Sequence, residues 1–323
     1  MGVTLSIEDL QVIYKTPDGT IPAVRGVSLE LSESEILGVV GESGSGKSTL
    51  AFAIAGLLPK NAIVKARKFI ILNNDALSSP NVFNKLRGSG VFMVFQDPFS
   101  SLNPLLTIRD QLAEAYVTKV KQSKGVKVGI GDVDDEELVE YLKRVNIPDP
   151  QITLYKYPHQ LSGGQIQRVM IAMALILEPR ILLADEPTTA LDVLTQIQVL
   201  QELKRLVDEI KTSIIFITHD IALASAIGDR LAVMYGGLLM EVGNTEDVIR
   251  EPMHPYTQGL IASIPSKSKY EGLLNEIKGI YVPTNLNECP FAPRCPYVRD
   301  DCKNSLPELR RVNNRFVRCH LYG

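Results

Sequence analysis

The chain has 323 residues, 45% of them hydrophobic, which is enough for one large domain and a smaller one, because single cores stop growing at roughly 250–300 residues. Its 34 Lys and Arg nearly balance 37 Asp and Glu, for a net charge of −3, and without a long basic block we expect no nucleic-acid partner. No stretch approaches the roughly 20 consecutive apolar residues that span a bilayer. Residues 1–8 also lack the basic and apolar regions of a signal peptide, so we expect a soluble, cytoplasmic chain.

The amino end predicts antiparallel β structure. Residues 3–14 and 23–31 have the composition of strands, and the Pro-Asp-Gly sequence at 17–19 between them is typical of a turn. Farther along, apolar runs punctuated by Gly and Pro alternate with helical patterns, which is typical of an α/β core. These runs predict buried strands at 35–40, 181–184 and 213–218.

The segment from about residue 105 to 165 has a different pattern. Asp134 and Asp135 are helix-start residues, and the apolar residues after them recur at helical spacing. The polar stretch 119–131 before them predicts a mobile loop. We interpret the whole segment as a helical insertion in the α/β core.

The carboxyl-terminal third contains two further signals. The pair Gly236 and Gly237 predicts a β-hairpin, and the proline-rich run 251–265 then leads to a tail that holds all four cysteines. We therefore expect one domain over residues 1–265 and a second, small domain over 266–323.

Residues 41–48 read Gly-Glu-Ser-Gly-Ser-Gly-Lys-Ser between a predicted strand and a helical pattern, as in a P-loop. Glycines let backbone N–H groups close around phosphate oxygens, and the helix amino end adds partial positive charge. Lys47 is suited to reach the β- and γ-phosphates, and the Ser48 hydroxyl to ligate Mg²⁺. A chance glycine-rich turn would not need both flanking elements. The predicted ATP-binding residues here are Gly41, Ser43, Gly44, Ser45, Gly46, Lys47, Ser48 and Thr49.

Two adjacent carboxylates follow the apolar run 181–184, at the end of a predicted strand where open α/β sheets bind ligands. Asp185 is suited to hold Mg²⁺ through water, and Glu186 to polarise the water that attacks the γ-phosphate. An acidic pair alone is equally consistent with a solvated strand end. The P-loop favours the functional interpretation.

The string Leu161-Ser162-Gly163-Gly164-Gln165 precedes the helical run 166–177 and forms a second anion cradle at a helix start. It resembles the signature motif of the ABC ATPase family. The resemblance implies that the cradle formed by Ser162, Gly163, Gly164 and Gln165 closes on ATP held by a second ATPase subunit. The working unit is then a dimer.

The same resemblance assigns roles to four more residues. Gln96 matches the Q-loop glutamine, which implies a place at the Mg²⁺ site, and His219 matches the switch histidine, which implies contact with the γ-phosphate. Asp192 matches the D-loop at the dimer seam, and Tyr14 matches the aromatic residue that stacks on adenine. The implied catalytic residues are Glu186, His219 and Lys47. The implied Mg²⁺ residues are Ser48, Gln96 and Asp185.

Three features extend the resemblance to the oligopeptide and dipeptide importer subfamily, which also serves nickel and oligosaccharides. They are residues 96–104, the sequence His-Pro-Tyr-Thr at 254–257, and the cysteine tail. The implied fold is an α/β P-loop NTPase of the ABC ATPase type. It has an antiparallel β subdomain, a helical subdomain with the signature motif, and a small cysteine-containing carboxyl-terminal domain.

The resemblance implies a motor at the cytoplasmic face of a prokaryotic membrane that hydrolyses ATP to import peptides. The implied partners are a second, homologous ATPase chain, two transmembrane permease subunits and an extracellular solute-binding protein. The permease would dock on the helical segment 102–160. Oligosaccharide or nickel cargo stays open, because the ATPase subunit does not touch the cargo, and so does the choice between a homodimer and a heterodimer.

Other classes of protein fit the sequence less well. Chromosome-maintenance ABC ATPases place long coiled coils between the P-loop and the acidic strand, and the interval from Lys47 to Asp185 is too short for them. Ribosome-recycling members carry iron–sulfur cysteines before two fused ATPase domains, whereas here the cysteines follow one. A P-loop kinase or GTPase would not need the signature string or Gln96.

The cysteines Cys289, Cys295, Cys302 and Cys319 are numerous enough for one closed metal site. Structural zinc prefers a tighter Cys-x₂₋₄-Cys pair than either short interval here. Cysteine-proline steps suit an iron–sulfur cluster better, and similar tails in the importer subfamily are associated with a [4Fe–4S] centre. Zinc stays an alternative. So do free thiols or disulfides, although disulfides are rare in a reducing cytoplasm.

Overall fold

The structure is a computed structural model that describes residues 2–189, 191–264, 277 and 279–322. Its strands are β1 Val3–Thr16, β2 Gly19–Ser32, β3 Ile36–Val40, β4 Ala62–Lys65, β5 Lys68–Ile71, β6 Asn74–Asp75, β7 Val91–Val94, β8 Ile181–Asp185, β9 Ser213–Thr218, β10 Arg230–Tyr235, β11 Leu238–Asn244, β12 Arg310–Val312 and β13 Arg315–Val317. Its α-helices are α1 Lys47–Ala55, α2 Asn81–Leu86, α3 Pro98–Ser101, α4 Ile108–Lys124, α5 Asp135–Arg144, α6 Pro150–Thr153, α7 Gly163–Leu177, α8 Val193–Ile210, α9 Ile221–Ile227, α10 Thr245–Arg250, α11 Pro255–Ala262 and α12 Asp300–Asn304.

The chain forms two compact units, each assembled from segments that are distant in sequence. The first unit contains residues 1–4, 31–35 and 71–215, and the second contains residues 5–30, 36–70 and 216–323. The division in the second half of the chain falls inside β9. The domain boundary expected near residue 265 adjoins residues 265–276, which lie outside the described residues.

The first unit combines a parallel strand pair with helices. Strands β7 and β8 pair in parallel, with Val91 opposite Ile181 and Val94 opposite Ala184. All of β8 is buried, as expected of a parallel strand covered on both faces. Helix α7 is buried along most of its length and packs against α4, α5 and α8. This apolar helix is the one around which α4, α5 and α8 pack, and these four helices are called the helical part of the first unit.

The predicted acidic helix start is confirmed, and the predicted loop before it is partly wrong. Helix α5 follows Asp134, whose carboxylate accepts a hydrogen bond from the Glu136 N–H at 3.0 Å. Residues 119–124, by contrast, continue α4. Within this stretch the Gln122 side chain makes tertiary hydrogen bonds, because its amide donates to the Arg87 carbonyl at 2.7 Å and accepts from the Ser89 N–H at 3.0 Å.

In the second unit, neighbouring strands of the sheet follow the order β12, β13, β11, β10, β3. Strands β3 and β10 are parallel, and β10 forms an antiparallel hairpin with β11. Gly236 and Gly237 at the hairpin turn have φ values of 55° and 80°, a conformation that favours glycine. The predicted hairpin is therefore confirmed. Strands β12 and β13 extend the same sheet with residues of the carboxyl-terminal tail.

The amino end of the second unit is a β-hairpin. Strands β1 and β2 are neighbours joined through residues 17 and 18, and β1 also pairs antiparallel with β4. This arrangement confirms the antiparallel β portion. Among the helices of the described residues, none is long and apolar enough to cross a bilayer.

Candidate nucleotide-binding site

The phosphate loop runs from the end of β3 to the start of α1 in the second unit. Gly46, the residue before α1, has a φ of 98°, and a Cβ atom added there would lie 2.4 Å from the Ala23 carbonyl oxygen. Only glycine fits such a position. No side chain in the described part of the chain caps α1. Its amino end is therefore built from backbone, which suits the binding of an anion.

The side chains of this loop converge on its interior. Lys47 is 4% exposed, and its Nζ donates to the Gly41 carbonyl at 2.7 Å and to the Glu42 carbonyl at 3.0 Å. The Ser45 hydroxyl is buried and has no hydrogen-bond partner within the described residues. A buried polar group without a partner costs about 1–3 kcal/mol. A phosphate oxygen would supply the acceptor that Ser45 lacks.

Two other predicted residues of the second unit lie outside the loop. Tyr14 on β1 donates from its hydroxyl to Thr49 Oγ1, at 3.3 Å, and thus contacts the first turns of α1. His219 follows β9 and is exposed. The next residue, Asp220, caps α9 by accepting from the Ala222 N–H at 2.8 Å. The cap fixes the chain direction directly after the histidine.

The carboxylates of the first unit are held at the end of β8. Asp185 is 2% exposed and Glu186 is 9% exposed. Glu186 has a φ of 46°, a region that non-glycine residues rarely adopt and that is common at functional sites. One oxygen of its carboxylate accepts from the Thr189 hydroxyl at 2.9 Å and from the Gln96 amide at 3.3 Å. The structure thus brings together Gln96 and Glu186, which are 90 residues apart.

The signature loop, also in the first unit, begins α7 with a reciprocal cap. The Ser162 hydroxyl accepts from the Gln165 N–H at 3.3 Å, and the Gln165 side chain accepts from the Ser162 N–H at 2.9 Å. A Cβ atom on Gly164 would lie 3.2 Å from the Thr195 methyl group. Thr195 in turn donates to Asp192, whose pKa is lowered by these hydrogen bonds. The signature loop and the predicted D-loop residue therefore lie side by side.

Comparison with known proteins gives the family. A model described as "ABC transporter" matches residues 24–189, and one described as "Oligopeptide/dipeptide transporter, C-terminal region" matches residues 240–302. The dipeptide transport ATP-binding protein DppD of Bacillus subtilis is 42% identical to this chain, and the alignment covers 99% of this chain and 95% of the length of DppD. The chain belongs to the ABC transporter family. The oligopeptide transport ATP-binding protein OppD of Escherichia coli is also 42% identical, over 98% of this chain and 92% of its own.

Solved structures of the family support the fold. A dimeric ATP-binding cassette in a post-hydrolysis state, bound to ADP and Pi, has a TM-score of 0.64 at 30% identity, covering 75% of this chain and 98% of its own. The cbiO1 protein of Clostridium perfringens, part of an ABC transporter complex, has a TM-score of 0.60 at 29% identity, covering 78% and 92%. The predicted ABC-type P-loop fold is confirmed. As a member of this family the chain is an ATPase.

The cysteines of this ABC ATPase lie in one region but do not form a metal-binding group. The Cys289 N–H donates to the Cys302 carbonyl at 3.0 Å, and all four cysteines are free thiols. Among the described residues no three His, Cys, Asp or Glu side chains are grouped so that they could hold a metal ion. Burial raises the pKa of Cys289 to about 11, which favours the neutral thiol. The iron–sulfur prediction is therefore not supported by this arrangement.

Sequence reasoning missed the residues that hold the phosphate loop from outside. Tyr256 accepts a hydrogen bond from the Glu42 N–H at 2.8 Å, and Arg294 forms a salt bridge with the Glu42 carboxylate. Burial raises the pKa of Tyr256 well above its usual range, so its hydroxyl stays protonated. Tyr256 belongs to the 254–257 sequence, which marks the subfamily but predicts no contact for this side chain. Arg294 carried no signal except its position next to Cys295.

Proposed function

We propose that this ABC ATPase is the motor subunit of a peptide importer, coupling ATP hydrolysis to uptake through partner permease subunits. The observation that carries this proposal is the alignment with the dipeptide relative over 99% of this chain and 95% of its own. The alignment includes the carboxyl-terminal region, whose family description names oligopeptide and dipeptide transporters. This description supports the peptide-importer subfamily over an ABC motor of another kind.

In the proposed reaction the phosphate loop binds ATP, and Glu186 polarises the water that attacks the γ-phosphate. The Gln96 amide bonds directly to Glu186, so it can orient the carboxylate that acts on water. His219 would contact the γ-phosphate, and Lys47 would neutralise its developing charge. Mg²⁺ would add positive charge beside the phosphates. The residues proposed to hold it are Ser48, Gln96 and Asp185, and the adenine would stack on Tyr14.

We propose that hydrolysis requires a second, homologous ATPase chain. Ser162, Gly163, Gly164 and Gln165 would bind the ATP of that partner, and Asp192 would lie at the seam. One phosphate loop and one signature loop per chain support this arrangement, as does the dimeric state of a solved relative.

The permease contact is proposed for the helical part of the first unit. Several large apolar side chains in or beside it are exposed, among them Phe99, Leu105, Ile152 and Tyr155. Such side chains mark an interaction site where they form a patch. Two permease subunits would hold the chain at the cytoplasmic face of the membrane, and an extracellular solute-binding protein would deliver the peptide.

Oligosaccharide or nickel cargo remains the alternative for the same motor. Action on ribosomes or nucleic acid, the alternative of another class, is opposed by the net charge of −3.

The test uses the assembled transporter in vesicles, with Glu186→Gln as the variant. Loss of a general base lowers kcat by about 10²–10⁴-fold, while ATP binding to the full chain should persist because Glu186 does not hold the phosphates. Uptake of a labelled dipeptide should fall with the ATPase rate. Stimulation of the wild-type ATPase by a binding protein loaded with an oligosaccharide or nickel, but not with peptide, would reject the peptide assignment and leave the ATPase intact.

We also propose that the four cysteines hold a [4Fe–4S] cluster with a structural role. The number of free thiols supports it, whereas their present arrangement does not, because the side chains must turn toward a common centre to bind iron. The test is a visible spectrum with iron, sulfide and zinc analysis of anaerobically purified protein. A band near ~400 nm and about four irons per chain, both lost in Cys295→Ser, are expected. One zinc per chain, or no metal in fresh protein, would reject the cluster.

A further inference from the structure

Glu42, the second residue of the phosphate loop, is held on every polar group that it offers. Its carbonyl accepts from Lys47 Nζ at 3.0 Å and from the Ser45 N–H at 3.2 Å. Its N–H donates to the Tyr256 hydroxyl at 2.8 Å. Its carboxylate binds the Arg294 guanidinium. The same residue therefore connects the lysine inside the loop with side chains from the carboxyl-terminal part of the second unit.

The contact with Arg294 has the geometry of a strong, oriented ion pair. Nη1 donates to one Glu42 oxygen at 2.6 Å and Nη2 donates to the other at 3.1 Å, and such paired bonds fix both planes. The Arg294 side chain is 6% exposed. Its remaining donors reach the Tyr235 hydroxyl at 3.1 Å and the Ile277 carbonyl at 3.2 Å. A guanidinium bound on all sides has little freedom to move.

An aromatic cluster supports these groups. The ring centroids of Tyr235 and Tyr256 are 4.6 Å apart, and both rings lie 5.3 Å from Phe291. All three side chains are buried, so their packing keeps the Tyr256 hydroxyl aimed at the loop. Phe291 and Arg294 belong to the segment between Cys289 and Cys295. The cysteine-containing segment is thus packed against the support of the phosphate loop.

We propose that Arg294 and Tyr256 are positioning residues for ATP. They hold Glu42 in place through its N–H and its carboxylate. The position of Glu42 in turn sets the carbonyls to which Lys47 donates and the direction of the loop N–H groups. Without Arg294 the Glu42 carboxylate, 32% exposed, would be an uncompensated negative charge next to the site that must receive phosphates, and like charges repel. The cysteine-containing segment therefore acts as part of the nucleotide site. This proposal rests on the proposed role of the phosphate loop.

The experiment measures the Kd for Mg-ATP of the full chain by calorimetry. Arg294→Gln should weaken binding about tenfold, or roughly 1.4 kcal/mol. Glu42→Gln alone should weaken it less, because it removes the negative charge together with the tether. The double variant should match Glu42→Gln rather than the sum of the two losses, since both changes act on one interaction. Arg294→Lys should be intermediate, because an ammonium cannot form the two-pronged contact.

A second measurement separates positioning from folding. Arg299→Gln is the matched control, since Arg299 lies in the same tail, pairs with Asp301 at 2.7 Å and is 48% exposed. It should leave the Kd within about twofold, as expected of a surface ion pair. In the assembled transporter Arg294→Gln should raise KM for ATP about tenfold and leave kcat within about twofold. General damage to the fold would change both parameters.

The outcomes are distinguishable. Unchanged affinity in Arg294→Gln, with binding lost in Lys47→Ala, would overturn the positioning role alone. Equal losses in Arg294→Gln and Arg299→Gln would also overturn it, because the effect would then be general to the tail. ATP binding that survives Lys47→Ala would instead reject the phosphate-loop assignment itself.

Discussion

The phosphate loop and the signature loop both present small residues at the start of a helix, but they satisfy that helix differently. Helix α1 begins after Gly46, in a left-handed conformation and without a side-chain cap from the described residues. Helix α7 begins after Ser162, in an extended conformation, with the Ser162 and Gln165 side chains capping each other's backbone. The described residues therefore provide no side-chain cap for the start of α1, whereas at the start of α7 the Ser162 hydroxyl already caps one N–H group.

This difference separates two kinds of anion site. The phosphate loop contains the buried Lys47 and, at Gly46, a left-handed backbone conformation. Its Ser45 hydroxyl is buried and has no hydrogen-bond partner among the described residues. Binding a phosphate would therefore relieve the free-energy cost of that unpaired hydroxyl. The signature loop has no such cost. The Ser162 hydroxyl accepts from the Gln165 N–H and can still donate its own O–H to a partner's nucleotide. Because nucleotide binding relieves an existing cost only at the first loop, we expect tighter binding there than at the second.

The largest expected effect comes from Gly46→Ala. The added Cβ atom would meet the Ala23 carbonyl at 2.4 Å at a φ of 98°, so the loop must shift. We expect ATP affinity of the full chain to fall by about 100-fold or more and the free energy of unfolding by about 1–3 kcal/mol. Calorimetry and urea denaturation measure the two effects.

Gly163→Ala is the matched control in the signature loop. The nearest atom to its added Cβ would be in the Phe99 ring at 3.7 Å, an ordinary contact, and alanine favours helix over glycine by about 1 kcal/mol. The variant should fold and bind ATP like the wild type, but the ATPase rate of the assembled transporter should fall about tenfold. A loss of ATP binding equal to that of Gly46→Ala would remove the proposed distinction between the loops.

A smaller effect is expected from pH on the free energy of unfolding, through His254, which contacts Tyr256 below the phosphate loop. His254 is 1% exposed, its Nδ1 accepts from the Tyr256 N–H at 3.0 Å, and burial lowers its pKa to about 3. Unfolded histidine has a pKa of about 6.5, so between these values the unfolded chain binds more protons. The His254 contribution to stability is thus lost as pH falls below about 6.5, by roughly 2 kcal/mol between pH 7 and pH 5.

The measurement is urea denaturation of the wild type and His254→Asn at several pH values. Asparagine offers an oxygen to the Tyr256 N–H but does not titrate, so its stability should fall less between pH 7 and pH 5. Identical slopes for wild type and His254→Asn would contradict the assignment.

The smallest effect is expected from the cap of the signature loop. Ser162→Ala removes the oxygen that accepts from the Gln165 N–H, which typically costs about 1 kcal/mol. Ser162→Asn keeps a capping oxygen and should retain most of that stability, while the altered side chain should still lower the ATPase rate of the assembled transporter. Equal rates for Ser162→Asn and the wild type would mean that the hydroxyl itself is not needed.

Sequence and structure agree where the signal is local. The strand, the glycine-rich turn and the helix start of the phosphate loop are neighbours in the chain, and so are Ser162 and Gln165. Their geometry follows from short-range rules of turns and caps. Residues 119–124 show the limit of such rules. Their polarity predicts a loop, yet they form the end of a helix, where Gln122 donates to the Arg87 carbonyl and accepts from the Ser89 N–H.

The sequence by itself therefore determined the family, the phosphate loop, the signature loop and the acidic strand end, since each is written in consecutive residues. Only the tertiary structure decided that Gln96 contacts Glu186 and that Arg294 holds Glu42, pairs separated by 90 and 252 residues. Such contacts depend on how distant segments pack. No local propensity encodes them, because the residues next to an arginine in sequence do not reveal whether its side chain is exposed or held in a buried ion pair.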